Sequence, residues 1–221
     1  MNLDLYSLNQ TIQRNDILFT LRFYFWEGNY LSIGYHQKNL PSHWYALEKE
    51  GLIKIIKRPS GGGAVLHSGG ITYALTFKKP TYKKFSYEVI NTWLIKSFSE
   101  IGLTLNKGTN KKALLNDNCF SSSLTSDLID KKGYKRIGSA QLWKKDSFLQ
   151  HGEIQLNPPN ELWSKIFNAQ PPPPLELELC KKGIIKHLTK SFLNNNANEY
   201  LENIYLNYED IKKDPKLENL K

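Results

Sequence analysis

Three stretches of this sequence gather side chains that could do chemistry. The first, Arg58-Pro59-Ser60-Gly61-Gly62-Gly63, is a glycine-rich run between two β-prone segments. Glycine lets a backbone approach a ligand closely and turn N–H groups toward an anion or a carbonyl oxygen, and Arg58 would add a fixed positive charge. The familiar phosphate loops do not fit. No Lys-Ser/Thr pair follows the glycines, and Leu66 stands where the last glycine of GxGxxG belongs. A glycine triplet by itself is more often a plain tight turn. The pair Gly69-Gly70, six residues further on, makes this loop unusual.

The second stretch surrounds Cys119. An isolated cysteine is usually a small buried hydrophobe. Here Asn116, Asp117 and Asn118 precede it and Ser121, Ser122 and Ser123 follow, which predicts an exposed polar segment. A thiol with the unperturbed pKa of about 8.5 is only a few per cent thiolate at neutral pH. A lysine that lowers it by about two units makes the thiolate the majority form. Lys131, Lys132 and Lys135 are near in sequence. Cys180, between Leu179 and Lys181 in a run of alternating Leu and Glu, reads as a core residue.

The third stretch is Lys135 to Gln141, with Leu149-Gln150-His151-Gly152 beyond it. On neighbouring strands, Ser139, Gln141, Gln150 and His151 would form a polar cluster, although a half-buried hairpin with a solvated face is the plainer alternative. There is no HExxH, no GxSxG and no close carboxylate pair. The residues thus amount to a ligand loop, a candidate thiol nucleophile and a lysine, with no substrate named.

Composition bounds the rest. A chain of 221 residues makes one large domain or two small ones. Twelve Tyr, ten Phe and five Trp argue for a packed core. The net charge of +9 attracts polyanions, among them acidic carrier proteins. It equally describes a solvated lysine-rich surface. The basic residues are spread along the chain, which speaks against a nucleic-acid partner. Two distant cysteines without CxxC spacing argue against a disulfide framework or a zinc site and suit a reducing cytosol. Residues 1–15 contain no secretory h-region, and no apolar run reaches the ~18 residues of a membrane span. A cytoplasmic protein without a membrane partner is expected.

The elements that must position these residues follow from periodicity. A weak helix is predicted over 3–13, then a strand over Thr20–Trp26 and, after Glu27-Gly28-Asn29, a returning strand over Tyr30–Tyr35. Ser42 reads as the N-cap of a helix over Trp44–Lys49. Strands at Ile53–Lys57 and Ile71–Phe77 flank the glycine loop. Apolar residues between Phe85 and Ile101 give the clearest amphipathic helix. Asn106–Asn118 reads as a polar loop. Ser126–Asp130, Tyr134–Ala140 and Ser147–Leu156 read as three successive strands, and Glu161–Asn168 as a helix. From Leu175 onward, short helical segments at best are expected. The pattern is α/β in the α+β sense, a mixed and mostly antiparallel sheet with packed helices.

Taken in order, these segments resemble the lipoate–protein ligase and octanoyltransferase family. The resemblance rests on Arg22-Phe23-Tyr24 through Ser32-Ile33-Gly34-Tyr35, on Arg58 to His67 with Thr72-Tyr73-Ala74, on Cys119-Phe120, and on Lys135 to Gln141 with Leu149 to Gly152. It extends over residues 22–157 and implies the biotin/lipoate ligase catalytic-domain fold. Residues 1–157 would form its core and 158–221 a helical or irregular extension of the same domain. The branch most resembled is the cysteine-dependent octanoyltransferases, in which the nucleophile directly precedes a Phe. That branch implies Cys119 and Lys135 as catalytic residues. It places Arg58, Ser60, Gly61, Gly62, Gly63, His67, Gly138, Ser139, Ala140, His151 and Gly152 around the substrate.

The activity implied is transfer of an octanoyl group from acyl carrier protein, through a Cys119 thioester, to the lysine of a lipoyl-domain protein such as glycine cleavage H protein or a 2-oxoacid dehydrogenase E2. No cofactor or metal is implied. Burying most of an eight-carbon chain at about 0.8 kcal/mol per methylene gives roughly 5 kcal/mol, enough for an apolar tunnel to select chain length. Two other activities share the motifs: an ATP-dependent lipoate–protein ligase and an amidotransferase between lipoyl domains. A non-catalytic relative or basic binding module is the remaining alternative. Gly63 fits the ligases, whereas the cysteine branch often has Arg there, and Trp143 replaces a frequent Arg. The chain begins near the family's first helix, without the preceding strand usual in relatives. The residues after 157 are too few for the accessory domain of larger ligases.

Overall fold

The computed structural model describes residues 1–78, 83–108 and 126–196, the side chains of 83–86 and 195–196 excepted. In chain order the elements are α1 (Asn2–Gln13), β1 (Phe19–Tyr24), β2 (Tyr30–Ile33), α2 (Ser42–Lys49), β3 (Lys54–Lys57), β4 (Val65–His67) and β5 (Ile71–Lys78). Then follow α3 (Lys83–Ser99), β6 (Leu105–Lys107), β7 (Leu128–Asp130), β8 (Lys135–Lys144), β9 (Ser147–Ile154), α4 (Asn160–Phe167) and α5 (Lys181–Asn196). Six strands form an antiparallel sheet in the order β1-β5-β9-β8-β7-β6. Three more form a small mixed sheet, β3-β2-β4, with β2 parallel to β3 and antiparallel to β4. The expected fold class, a mostly antiparallel α/β arrangement, is the one observed.

Strand periodicity makes β9 the centre of the molecule. Successive side chains leave opposite faces. Phe148 and Ile154 join Ile71, Tyr73 and Leu75 of β5 in a core with Ile90, Trp93, Leu94 and Phe98 of α3. Leu149 points the other way and packs with Ala74 against Leu8 of α1. A polar tie accompanies that contact, since the Thr11 and Thr76 hydroxyls lie 2.6 Å apart. The small sheet has its own core, in which Leu31, Ile33 and Leu66 meet Trp44 of α2 and Trp163, Ile166 and Phe167 of α4. Trp44 also donates its indole N–H to the Ile166 carbonyl at 2.7 Å.

Four expectations need correction. β2 does not return alongside β1. It crosses to the small sheet and pairs with β3 and β4, while β1 pairs over its whole length with β5, Phe19 opposite Phe77 through Tyr24 opposite Thr72. A turn signal is local and does not name the partner strand. Ser42 is the first residue of α2 and Pro41 holds the N-cap position, with no side-chain cap. The segment after Leu175 is more ordered than expected. α5 runs for 16 residues, and Ile184, Leu188 and Phe192, spaced four apart, join the α3 core. Phe192 meets Trp93 edge-on with ring centroids 4.9 Å apart. Finally, Cys180 is exposed, not a core residue. It sits at the start of α5, where its carbonyl accepts the Ile184 N–H at 2.9 Å.

The packing of α5 makes a measurable claim. Leu188 is fully buried, so Leu188→Ala should cost about 2–5 kcal/mol through lost burial and the cavity left behind. Urea denaturation would show it as a lower midpoint at unchanged slope. A change below about 0.5 kcal/mol, the surface norm, would mean that α5 does not dock there.

Candidate active site

The glycine loop is shaped by its own arginine. Arg58 is buried, and its guanidinium donates to the Gly61 carbonyl from Nε (3.2 Å) and Nη2 (2.8 Å). Nη2 also reaches the Gly63 carbonyl at 2.6 Å, and Nη1 reaches the Ser32 carbonyl at 2.9 Å. The expected positive charge is therefore turned on the loop's carbonyls. In a planar trans peptide the next N–H points opposite to the carbonyl, so the Gly62 and Ala64 amides face away from Arg58. Gly62 has φ +94°, which favours glycine. Gly34, at the end of β2, lies so close that a Cβ there would stand 1.9 Å from the Gly62 carbonyl oxygen.

Opposite the loop, β8 and β9 complete a cavity of about 160 Å³. For scale, an engineered apolar cavity of about 150 Å³ takes up benzene. Arg58, Gly61, Gly62, Gly63 and His67 line it from the loop side. Lys135, Gly138, Ser139, Ala140, His151 and Gly152 line it from the sheet. Ser60 is not among the lining residues but touches one, its Oγ lying 2.5 Å from His151 Nε2. Cys119 lies outside the described residues, as does most of the polar loop expected over Asn106–Asn118, whose first residues instead belong to β6.

Sequence reasoning assigned no site role to six further lining residues, Met1, Ser32, Val65, Thr72, Asp127 and Glu153. Lys135 forms a buried ion pair with Asp127, 2.8 Å from Nζ to Oδ2. His67 bridges two strands, with Nδ1 2.8 Å from Glu153 Oε2 and Nε2 2.8 Å from Ser32 Oγ. Thr72 also donates to that carboxylate, and Trp26 stacks on His67 while donating its N–H to Thr72 at 2.8 Å. Beneath Ser139, burial pushes the Tyr73 phenol up to about 12, so it stays protonated. It accepts from Gln150 at 2.9 Å, and its hydroxyl lies 2.7 Å from the Ser139 hydroxyl. Gly152 makes that contact possible, because a Cβ there would come within 2.6 Å of the Tyr73 ring. Ser32, Val65 and Thr72 lie within the segments that carry the resemblance, whereas Met1, Asp127 and Glu153 lie in none of them. Register places Glu153 between Thr72 of β5 and Gly138 of β8, and Gly152 between Tyr73 and Ser139.

A further residue sits behind the cavity. Asp4 of α1 is buried, with Oδ2 3.3 Å from His151 Nδ1 and 3.0 Å from the Tyr24 hydroxyl, while Oδ1 accepts from Arg22. Burial alone would raise its pKa, but the His151 hydrogen bond and nearby cations, Arg22 among them, hold it well below the usual carboxylate range. Burial lowers the His151 pKa, and the Asp4 contact offsets only part of that. The pair is thus a neutral imidazole against a carboxylate. Among the described residues no cluster suited to a metal ion occurs.

These shifts fix the sign of a pH effect. A folded pKa below the unfolded 6.5 of histidine gives stability that is complete above that value and lost as pH falls through the folded pKa. The depressed Asp4 pKa acts the same way, but only below its model-peptide value of 3.8. Between about pH 7 and pH 5 the His151 contribution is at most about 1.4 kcal/mol per pH unit for one proton, and the buried Met1 amino group, lowered by burial, acts in the same direction. The melting temperature of the wild-type protein should therefore fall more over that range than that of His151→Gln. Equal falls in calorimetry would contradict the assignment.

Compared with known proteins, residues 1–175 match the lipoyl protein ligase A/B catalytic domain. The octanoyltransferase LipM of Lysinibacillus sphaericus is 32% identical over 162 residues, 67% of this chain and 58% of that protein. The octanoyltransferase LipM of Geobacillus kaustophilus is 32% identical over 188 residues, 77% of this chain and 67% of that protein. The chain thus spans less than two thirds of the Lysinibacillus protein's length. Among solved structures, a lipoate-protein ligase A bound with ATP superposes with a TM-score of 0.70 at 18% identity, covering 91% of this chain and 81% of the other. A bi-partite lipoate protein ligase, solved with its E2 lipoyl domain from Thermoplasma acidophilum, gives 0.64 at 18% identity over 91% and 82% of the two chains. These two share the fold. By the domain match and the LipM relatives, the chain belongs to the lipoyl protein ligase A/B catalytic domain family.

Proposed function

We propose that this protein is an octanoyltransferase that moves an octanoyl group from acyl carrier protein to the lysine of a lipoyl-domain protein, through a thioester on Cys119. The observation that carries this reading is the cavity itself, which sets the Gly61–Gly63 loop opposite the Lys135–Asp127 pair, in a chain whose relatives are octanoyltransferases. The Cys119 thiolate attacks the octanoyl thioester carbonyl, and the carrier thiolate leaves with a proton. The acceptor amine then attacks the acyl-enzyme, the Cys119 thiolate departs, and the amine loses its proton. Exchange of one thioester for another is nearly balanced, so no ATP is needed, and amide formation drives the second step. Loop amides suit the carbonyl oxygen as charge develops on it.

Lys135 is the partner we assign to Cys119, and a cation within about 4 Å favours a thiolate. The remaining lining residues, Arg58, His67, Gly138, Ser139, Ala140, His151 and Gly152, together with Ser60 behind His151, hold the loop and the acyl head group. The +9 charge suits acidic carrier and lipoyl domains. The acceptor class is supported by the archaeal ligase solved with its E2 lipoyl domain, and we include glycine cleavage H protein in it. Docking of α5 on α3 supports reading the residues after 157 as an extension of the same domain. No helix among the described residues is long and apolar enough to cross a membrane, and we place the reaction in the cytoplasm.

Intact mass after mixing the protein with octanoyl-carrier protein, without ATP, tests the proposal. One added octanoyl group is expected in the wild-type protein and none in Cys119→Ala. Lys135→Ala should slow acylation by at least about tenfold, the loss of one positioned charge. Lipoylation that requires ATP and survives Cys119→Ala would make the protein a ligase. Acylation only from an acylated lipoyl domain would make it an amidotransferase.

A further inference from the structure

We infer that Asp4, His151 and Ser60 form a relay that holds the glycine loop against β9 and makes Asp4, a residue outside every motif, a positioning residue for the acyl site. This rests on the acyl-transfer reading above. Three elements distant in sequence meet in one line: Asp4 of α1, His151 of β9 and Ser60 of the loop. All three are nearly inaccessible, at 0%, 4% and 2% of their surface, so each polar atom has to find its partner within the protein.

The direction of the line follows from its carboxylate end. The Asp4 carboxylate can only accept, so His151 carries its proton on Nδ1 and donates it to Oδ2. A neutral imidazole then has a bare Nε2, and the Ser60 hydroxyl must donate to it at 2.5 Å. Asp4 is itself held, since Arg22 donates to Oδ1 and Tyr24 to Oδ2. Besides Asp4, the charged group that His151 feels from the loop side is Arg58. Across the sheet its register partners are Ala74 and Ala140, which offer no competing acceptor.

The polarity is that of a hydroxyl–imidazole–carboxylate triad, but the geometry argues against a serine nucleophile. His151 lines the cavity whereas Ser60 does not. Ser60 is bonded from behind, and its carbonyl accepts the Tyr35 N–H at 2.9 Å. The relay therefore pins the start of the loop as Arg58 pins its middle and end, and it keeps His151 in one tautomer where it faces the substrate.

The test uses full-length protein labelled with ¹⁵N-histidine. With five histidines, the His151 signals are assigned by their loss in His151→Gln. Wild-type protein at neutral pH should show a protonated Nδ1 and a bare Nε2. Asp4→Asn, whose carboxamide can donate toward His151, should shift the population toward the other tautomer. It should also lower the single-turnover rate of octanoyl uptake by about 10- to 100-fold, typical of groups that orient a functional one, with little change in the carrier concentration for half-maximal rate. Ser60→Ala should show the same loss and Ser60→Thr, which keeps the hydroxyl, should recover most of it. A wild-type tautomer and wild-type rate in Asp4→Asn would overturn the relay, as would an octanoyl adduct on Ser60 in Cys119→Ala protein. Should Asp4→Asn not fold, the Ser60→Ala and Ser60→Thr pair decides by the same rate. If the wild-type protein takes up no octanoyl group, the acyl-transfer reading fails, and the imidazole spectra alone then decide the relay.

Discussion

A buried guanidinium needs acceptors for its donors, and the glycine loop takes its shape from supplying them. Arg58 has little access to water, so leaving its N–H groups unpaired would cost several kcal/mol. The Gly61 and Gly63 carbonyls turn inward to meet it, and Ser32 adds a third acceptor from β2. Two glycines make this turn sterically possible. Gly62 adopts φ +94°, and Gly34 leaves room for the Gly62 carbonyl. With the carbonyls committed, the Gly62 amide faces away from Arg58, in a residue that lines the cavity. The shape of the loop thus follows from satisfying one charge.

The same logic extends across the sheet. β9 sits between β5 and β8, and its side chains alternate between two covered faces. Polar residues on such a strand are tolerable only when bonded. Glu153 is held by His67 and Thr72, His151 by Asp4 and Ser60, and Gln150 by Tyr73 and Gln141. Together these bonds link β9 to α1, the glycine loop, β4, β5 and β8, so the sheet, the small sheet and α1 are fixed relative to one cavity. Gly152 is the exception on this strand. Its missing side chain lets Tyr73 reach Ser139.

What could be read from the sequence followed from periodicity. The helix α3 and the strands β5, β8 and β9 carry regular apolar patterns, and each was found within a few residues of its expected span. The partner of β2 could not be read, because a turn signal is local and the strands it pairs with, β3 and β4, lie beyond α2 in the chain. α5 was missed for a different reason. Its buried stripe of Ile184, Leu188 and Phe192 is interleaved with Lys, His, Thr and Asn, which lower the local hydropathy and hide the repeat. Around the cavity, the glycine loop and the β8–β9 pair were visible as motifs or by resemblance. Asp4, Asp127 and Glu153 were not, since their partners stand 147, 8 and 86 residues away respectively. A solvated carboxylate looks the same in sequence as one held in a network.

The Lys135–Asp127 pair limits how much activation one lysine can supply. Consider a thiolate about 4 Å from the ammonium, on the side away from Asp127. At an effective dielectric of about 20, Coulomb's law gives roughly 4 kcal/mol of attraction from the lysine and, at about 7 Å, roughly 2.4 kcal/mol of repulsion from the carboxylate. The difference, under about 2 kcal/mol, lowers a thiol pKa by little more than one unit. That falls short of the two units a lone lysine was expected to provide. A thiol starting near 8.5 would then be about half ionised at neutral pH, enough for a nucleophile but with no surplus for the oxyanion formed next. Asp127 thus trades field strength for a fixed Lys135 position. On the acyl-transfer reading proposed above, stabilisation of the tetrahedral intermediate falls to donors without a compensating charge, a role that suits the amide of Gly62, a residue lining the cavity.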